Sequence, residues 1–367
     1  MSECGPIILV VGARPNFMKI APLYAELKER GVEQLLLHTG QHYDEKMSKV
    51  FFEDLGLPQP DIFLGVGSGT HASQTARIMV EFETVCIQYK PRLVVVVGDV
   101  NSTLACTLVA SKLHIKIAHV EAGLRSGDKR MPEEINRIVT DSLADILLTP
   151  SIDGNENLLS EGRSEKDIHF VGNIMIDSLY NILERSANSE ILESLSLTEG
   201  EYGVLTIHRP SNVDDVDAFT SIIEALEVIG EGLDIVFPIH PRTKKNAIEM
   251  NLIERIKSIP GVMLMGPTGY LDFVSLISSS RIVLTDSGGL QEETTVLKIP
   301  CITLRNNTER PITVSDGTNR LVGNDKDEIV SAFKDSIIKD YRDMVVPQYW
   351  DGNTAARIAD VIMEGIE

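Results

Sequence analysis

Residues 281–293 read RIVLTDSGGLQEE, and Ser287-Gly288-Gly289 stands where an apolar, strand-like run passes straight into an acidic helix start. So abrupt an entry gathers unpaired first-turn N–H groups and the positive end of the helix dipole at one point, which is the chemistry of phosphate binding. The two glycines let an anion approach the backbone closely and permit a positive φ. Glu292 and Glu293, one turn on, repel phosphate but suit a pair of sugar hydroxyls such as those of ribose. An ordinary strand–helix turn can carry the same letters, and the rest of the chain decides between the two.

A second constellation is acidic. Asp99, Glu121 and the pair Glu133-Glu134, with Arg137 a turn later, fall between positions 99 and 137. In VEAGLRSGDKRMPEEINR the spacing predicts a strand, a glycine-containing loop, and a helix opened by Pro132 with carboxylates in its first turn. Those carboxylates can simply complement the helix dipole. Across a cleft from a phosphate site, they can also remove a proton from a carbon or oxygen of a phosphate-bearing substrate and return it.

Strands must hold these groups, and the alternation of apolar runs with amphipathic helical patterns supplies them. Ile7–Val11, Leu35–His38, Leu93–Val97, Ile117–Val120, Ile146–Leu148 and Ile168–Val171 read as strands of a first half. Val204–Ile207, Ile235–Ile239, Val262–Met265, Arg281–Leu284 and Cys301–Leu304 read as strands of a second. Helical patterns between them cover about 44–55, 73–89, 101–113, 132–143, 218–229, 244–256, 271–278 and 328–340. This repetition predicts an α/β molecule of two Rossmann-like, doubly wound domains facing a cleft. The expected domains are residues 1–186 and 187–349, with a last helix at about 350–367 packing back on the first and a Ser/Glu-rich linker around 186–203. The strand ends are polar throughout. Gly12-Ala13-Arg14-Pro15 with Lys19 follows the first strand, and Gly98-Asp99-Val100-Asn101-Ser102 follows Leu93–Val97. Glu121-Ala122-Gly123-Leu124-Arg125, His208-Arg209-Pro210 and His240-Pro241-Arg242 follow three others. Doubly wound proteins bind their ligands at such ends.

Composition narrows the class. A chain of 367 residues with 43% hydrophobic content suits two domains, and a net charge of −20 argues against nucleic acid or an anionic membrane as partner. No apolar run is long enough to cross a bilayer, so a soluble, cytoplasmic setting is expected. Cys4, Cys86, Cys106 and Cys301 lack CxxC spacing, and the histidines lack HExxH spacing, so no metal is expected. GxGxxG is missing after the first strand, and Gly65-Val66-Gly67-Ser68-Gly69 does not read as a strand–turn–helix. No Walker A or GxSxG motif is present, and no cofactor is expected.

Taken together, GARPNFMK, GDVNST, HVEAGLRSGD with PEEINR, TIHRP, TDSGGLQEE and RNNTERP resemble the non-hydrolysing UDP-N-acetylglucosamine 2-epimerases. The likeness runs in order from about residue 8 to residue 311. It implies a GT-B fold, a homodimer, and interconversion of UDP-GlcNAc and UDP-ManNAc in supply of cell-surface polysaccharide. It also implies roles. Asp99, Glu121 and Glu133 would be catalytic carboxylates with Arg137 beside them, and Arg14 and Lys19 would be cleft cations. His208 would join the catalytic set at the diphosphate, with His240 and Arg310 lining the cleft. Ser287, Gly288 and Gly289 would hold phosphate, Glu293 the ribose, and Phe273 would flank uracil. Gly40-Gln41-His42-Tyr43 and His208-Arg209-Pro210-Ser211 depart from the GQHR and HRRE runs of allosterically controlled bacterial members. They resemble instead the branch of archaeal enzymes and of epimerases acting on a UDP-2,3-diacetamido uronic acid. A GT-B glycosyltransferase shares the nucleotide site, and a non-catalytic UDP-sugar binder is the other rival.

Overall fold

A computed structural model of the chain describes residues 5–41 and 55–366. The helix expected at about 44–55 lies almost wholly outside the described residues, as do His42 and Tyr43. The chain divides into two compact units, Met1–Tyr180 with Gln348–Glu367, and Asn181–Pro347.

The first unit holds seven parallel strands: β1 (Ile7–Val11), β2 (Gln34–His38), β3 (Ile62–Phe63), β4 (Leu93–Val97), β5 (Lys116–Val120), β6 (Ile146–Thr149) and β7 (Ile168–Phe170). Their order is β3-β2-β1-β4-β5-β6-β7. Every side chain of β1 and β4 is buried, as unbroken β-branched runs covered on both faces require. The strand order reverses between β1 and β4, and the ends of neighbouring strands splay there into a crevice. Helices α1 (Arg14–Glu29), α2 (His71–Tyr89), α3 (Asn101–Lys112), α4 (Pro132–Leu143), α5 (Ile152–Ser160) and α6 (Ile174–Ser186) join the strands. Gly65–Gly69 does lie between a strand and a helix, β3 and α2. A two-residue strand carries too few side chains to show a period, which is why the sequence hid it.

The second unit holds six parallel strands: β8 (Tyr202–Thr206), β9 (Asp234–Pro238), β10 (Val262–Met265), β11 (Ile282–Thr285), β12 (Cys301–Thr303) and β13 (Asn319–Leu321). Their order, β10-β9-β8-β11-β12-β13, reverses between β8 and β11. Its helices are α7 (Ile191–Ser194), α8 (Pro210–Val213), α9 (Val216–Ile229), α10 (Pro241–Glu249), α11 (Ile253–Ser258), α12 (Tyr270–Ser278), α13 (Gly288–Leu297), α14 (Ile312–Ser315) and α15 (Lys326–Ile338). The stretch expected as a linker is part of this unit. It contains α7, and Ile191, Leu192, Leu195 and Leu197 pack on a core of Tyr202, Val204 and Val236. The single helix expected over 244–256 is two, α10 and α11, separated where Asn251 takes φ 58°. After the second unit the chain returns to the first with α16 (Thr354–Ile366), whose opening amides of Thr354 and Ala355 donate to the Asp177 carboxylate at 3.2 and 2.8 Å.

Two Rossmann-like α/β domains of the kind that compose the GT-B fold are thus present. Cys86, Cys106 and Cys301 are buried free thiols. Among the described residues no helix is long and apolar enough to cross a membrane, and no cluster of metal-ligating side chains exists.

Candidate functional site

In the first unit the acidic groups collect at the strand reversal. The chain leaves β4 through Gly98 at φ 67° and leaves β5 through Glu121 at φ 72°. A left-handed backbone is unremarkable for glycine but strained for glutamate, and such strain persists only where surroundings over-determine it. Here Glu121 is buried and pairs with the Lys19 ammonium from the first turns of α1. A Cβ on Gly98 would stand 3.3 Å from both the Glu121 Oε2 and the Lys19 Nζ, so the turn and the ion pair fit only without a side chain there. Asn16 ties the two strands: its Oδ1 accepts from the Gly12 and Ala13 amides, and its Nδ2 donates to the Val97 carbonyl.

Asp99, next along, is a third exposed and receives the Arg137 guanidinium of α4 at 2.5 Å, while its carbonyl accepts from Asn136 at 2.8 Å. The two neighbouring glutamates of α4 divide. Glu134 is buried, binds Arg137 at 2.7 Å, and accepts from the Ser126 and Gly127 amides. Burial would raise its carboxyl, but these amides and Arg137 outweigh burial and hold it below the usual range. Glu133 stands half-buried on the same first turn. Lys19–Glu121 and Asp99–Arg137 are thus two ion pairs on either side of the Gly98–Asp99 turn. Arg14 begins α1.

In the second unit the ends of β8 and β11 meet at Asp286, a fully buried carboxylate to which the sequence assigned no role. It accepts from the His208 amide at 2.9 Å, the Arg209 amide at 2.9 Å and Asn212 at 3.1 Å, and its Oδ1 lies 3.0 Å from His208 Nδ1. Burial opposes its ionisation, and His208 with the two amides more than offsets that. An acid one residue past a buried strand was the available signal. The half-exposed His208 ring stands 5.5 Å from the ring of His240, which caps α10 by accepting from the Arg242 amide.

Ser287 is the N-cap of α13, with its hydroxyl unused as a cap. Gly288 and Gly289 begin the helix with ordinary negative φ, so the positive φ that glycine permits is not used. Their smallness serves approach instead. A Cβ on Gly288 would fall 2.8 Å from Arg310 Nη1 and 2.9 Å from Glu309 Oε1, whereas one on Gly289 would meet open space. Arg310 binds Glu292 at 2.8 Å and Glu309 at 2.7 Å, and Glu309 also binds Arg305 at 2.9 Å. Burial would raise the Glu309 carboxyl, but Arg310 and Arg305 drive it far below the usual range. Glu293 is buried too and accepts from the Tyr270 hydroxyl at 2.9 Å; burial pushes its carboxyl up to about 7. Phe273 of α12 packs partly buried on the core of this unit. Sequence reasoning missed Asp286, Glu309 and Tyr270, whose roles are set by partners distant along the chain.

Three comparisons bear on these geometries. The sequence profile of the family described as UDP-N-acetylglucosamine 2-epimerase matches residues 25–363. The UDP-N-acetylglucosamine 2-epimerase of Methanocaldococcus jannaschii is 46% identical over 329 residues, 88% of this chain and 90% of that protein. The UDP-2,3-diacetamido-2,3-dideoxy-D-glucuronate 2-epimerase of Pseudomonas aeruginosa is 43% identical over 330 residues, 89% of this chain and 90% of that one. The crystal structure of the Methanocaldococcus jannaschii enzyme in complex with UDP-GlcNAc and UDP superposes with a TM-score of 0.91 at 42% identity, covering 98% of this chain and all of that one.

Proposed function

The chain belongs to the UDP-N-acetylglucosamine 2-epimerase family, and from that premise we propose that it interconverts UDP-GlcNAc and UDP-ManNAc by elimination and re-addition of UDP. The C2 proton of the sugar is not adjacent to a carbonyl, and no side chain removes it unaided at neutral pH. As the C1–O bond to UDP breaks, its electron pair leaves with the diphosphate and C1 gains oxocarbenium character. The C2 proton then becomes acidic enough for a carboxylate, and 2-acetamidoglucal results. Return of a proton to the opposite face of C2, and of UDP to C1, completes the inversion.

In this reading the second unit binds the leaving group. The first-turn amides of α13, Ser287, His208, His240 and Arg310 stabilise the diphosphate as charge develops on it. Glu293 takes the ribose hydroxyls and Phe273 flanks the uracil. The first unit supplies Arg14, Lys19 and Arg137 as cations, with Asp99, Glu121 and Glu133 as proton carriers. What carries the reading is the Glu121 carboxylate, held at φ 72° against Lys19 beside the Gly98–Asp99 turn. A mere binder has no use for a buried acid held on a strained backbone, since such strain persists only where the surroundings enforce it.

A second reading, C2 epimerisation of a UDP-2,3-diacetamido uronic acid, is favoured by the 43% identity to the Pseudomonas aeruginosa enzyme. Incubation with UDP-GlcNAc alone in D₂O tests the class of reaction. An epimerase washes deuterium into C2, whereas a transferase awaiting an acceptor and a binder do not. Substrate that is bound yet remains undeuterated would sink the proposal. The same assay on the diacetamido uronate separates the two substrates by rate. Formation of UDP-ManNAc by this chain would make it a source of activated ManNAc for surface polysaccharide.

A further inference from the structure

His119 and Asp141 lie behind the carboxylates, fully buried, and nothing in the mechanism above uses them. His119 sits on β5, and its Nε2 is 2.8 Å from the carbonyl oxygen of Gly98, the left-handed residue at the end of β4. A carbonyl oxygen only accepts, so Nε2 carries a hydrogen. The other ring nitrogen, Nδ1, is 2.6 Å from Asp141 Oδ1, a distance that two lone-pair-bearing atoms reach only with a hydrogen between them. The ring is thus strung between a carbonyl and a carboxylate.

Asp141 is one turn along α4 from Arg137, on the same side of the helix. Its Oδ2 accepts from the Gly123 amide at 3.1 Å and from Arg125 at 2.7 Å, and Arg125 in turn grips Glu161 at 2.8 and 2.7 Å. One buried carboxylate therefore reaches both loops that carry acid. Through His119 it holds the Gly98 carbonyl immediately before Asp99, and through Gly123 and Arg125 it holds the chain immediately after Glu121. Arg137 and Asn136, from the same helix, bind Asp99 directly. Burial alone would raise the Asp141 carboxyl; His119 and Arg125 together hold it below the usual range, so the clamp is charged.

We propose that Asp141 and His119 are positioning residues that fix the Asp99 and Glu121 loops against α4 at one separation. The proposal rests on the reading of Asp99 and Glu121 as proton carriers. The arrangement does not touch substrate; it sets where two reacting groups stand. A displacement of about 1 Å in such groups can lower turnover about 10²-fold, while leaving nucleotide affinity alone.

The test uses the full-length protein. Asp141→Asn and His119→Phe are expected to lower kcat for UDP-GlcNAc about 10²-fold with KM and UDP affinity within about twofold of wild type. His119→Gln, which keeps a donor near the Gly98 carbonyl, is expected to recover most of the rate. Folded Asp141→Asn and His119→Phe proteins with wild-type kcat would overturn the proposal, as would a parallel fall of kcat and UDP affinity. Asp99→Asn assayed beside them separates the failures. Loss in Asp99→Asn with none in Asp141→Asn overturns the positioning role alone, whereas full activity in both overturns it together with the carboxylate reading. Should the variants not fold, proton NMR of the wild-type protein decides. A downfield, exchange-protected Nε2–H signal from His119, held to the Gly98 carbonyl, supports the clamp, and its absence overturns it.

Discussion

Glu293 carries its own pH signature. Its carboxyl, pushed by burial from an ordinary 4.5 to about 7, binds a proton more tightly in the folded protein than in the unfolded chain. The stability this brings is complete below pH 4.5 and is lost as pH rises through about 7, a loss of roughly 3 kcal/mol. Glu293→Gln, which keeps an acceptor for Tyr270, should therefore melt above wild type at pH 8 and alongside it at pH 4.5. If Glu293 holds the ribose, Glu293→Ala should also weaken UDP by about 1–3 kcal/mol in calorimetric titration; unchanged affinity in a folded variant refutes that role. The proton carriers make a sharper prediction. Asp99→Asn, Glu121→Gln and Glu133→Gln should each lower turnover by at least about 10²-fold with UDP binding nearly intact. At least one should still release 2-acetamidoglucal from UDP-GlcNAc, visible by mass spectrometry, because abstraction survives when only reprotonation of the other face is lost. Near-wild-type epimerisation in all three would return these acids to helix capping. A purely structural role already belongs to Glu134, which the letters could not tell from Glu133 because only folding shows which one meets Ser126, Gly127 and Arg137.

Helix α13 lets two adjacent glycines be told apart. Gly288→Ala presses a methyl against Arg310 and Glu309 and should destabilise the protein by about 1–3 kcal/mol. Gly289→Ala meets open space and, as a better helix former, should leave thermal stability equal or up to about 1 kcal/mol higher. Its UDP affinity should nonetheless fall if phosphate approaches that amide, and an unaltered Kd would move the phosphate elsewhere. Elements of this kind were legible where burial writes a long pattern. Ile7–Val11, Leu93–Val97, Pro132–Leu143 and Val262–Met265 were expected with the bounds they have, because four or five apolar letters in a row or three helical turns leave few alternatives. β3, β13, α7, α8 and α14 escaped, being too short to establish a period, and the longer α5 and α6 were not read either. The break between α10 and α11 escaped as well, since Asn251 reveals its left-handed backbone only in context. Polar strand ends could be read from polar letters after apolar runs. Partners 20 to 100 residues apart, such as Asp286 with Asn212 or Glu121 with Lys19, could not.

At the scale of the molecule, the second unit has its own sheet and core, and residues 181–347 alone are expected to fold and to bind UDP more weakly than the full chain does. Circular dichroism and titration check this; an unfolded fragment, or one with full affinity, counts against it. Regulation is the other whole-molecule property. The sequence has Tyr43 and Pro210 where the GQHR and HRRE runs of the family resemblance carry arginine, and Arg209 is engaged with the Asp286 carbonyl at 2.9 Å. Pure UDP-ManNAc should therefore be converted without delay, and a lag abolished by traces of UDP-GlcNAc would reverse that conclusion. Helix α16 adds a matter of timing. It belongs to the first unit, tied by Asp177, yet it follows every residue of the second in sequence. On the ribosome, the nucleotide-type unit leaves the exit tunnel as one uninterrupted stretch, whereas the unit with the strained glutamate cannot be completed until residues 348–367 have emerged. The unit begun first is thus the one whose closing element is made after the other unit.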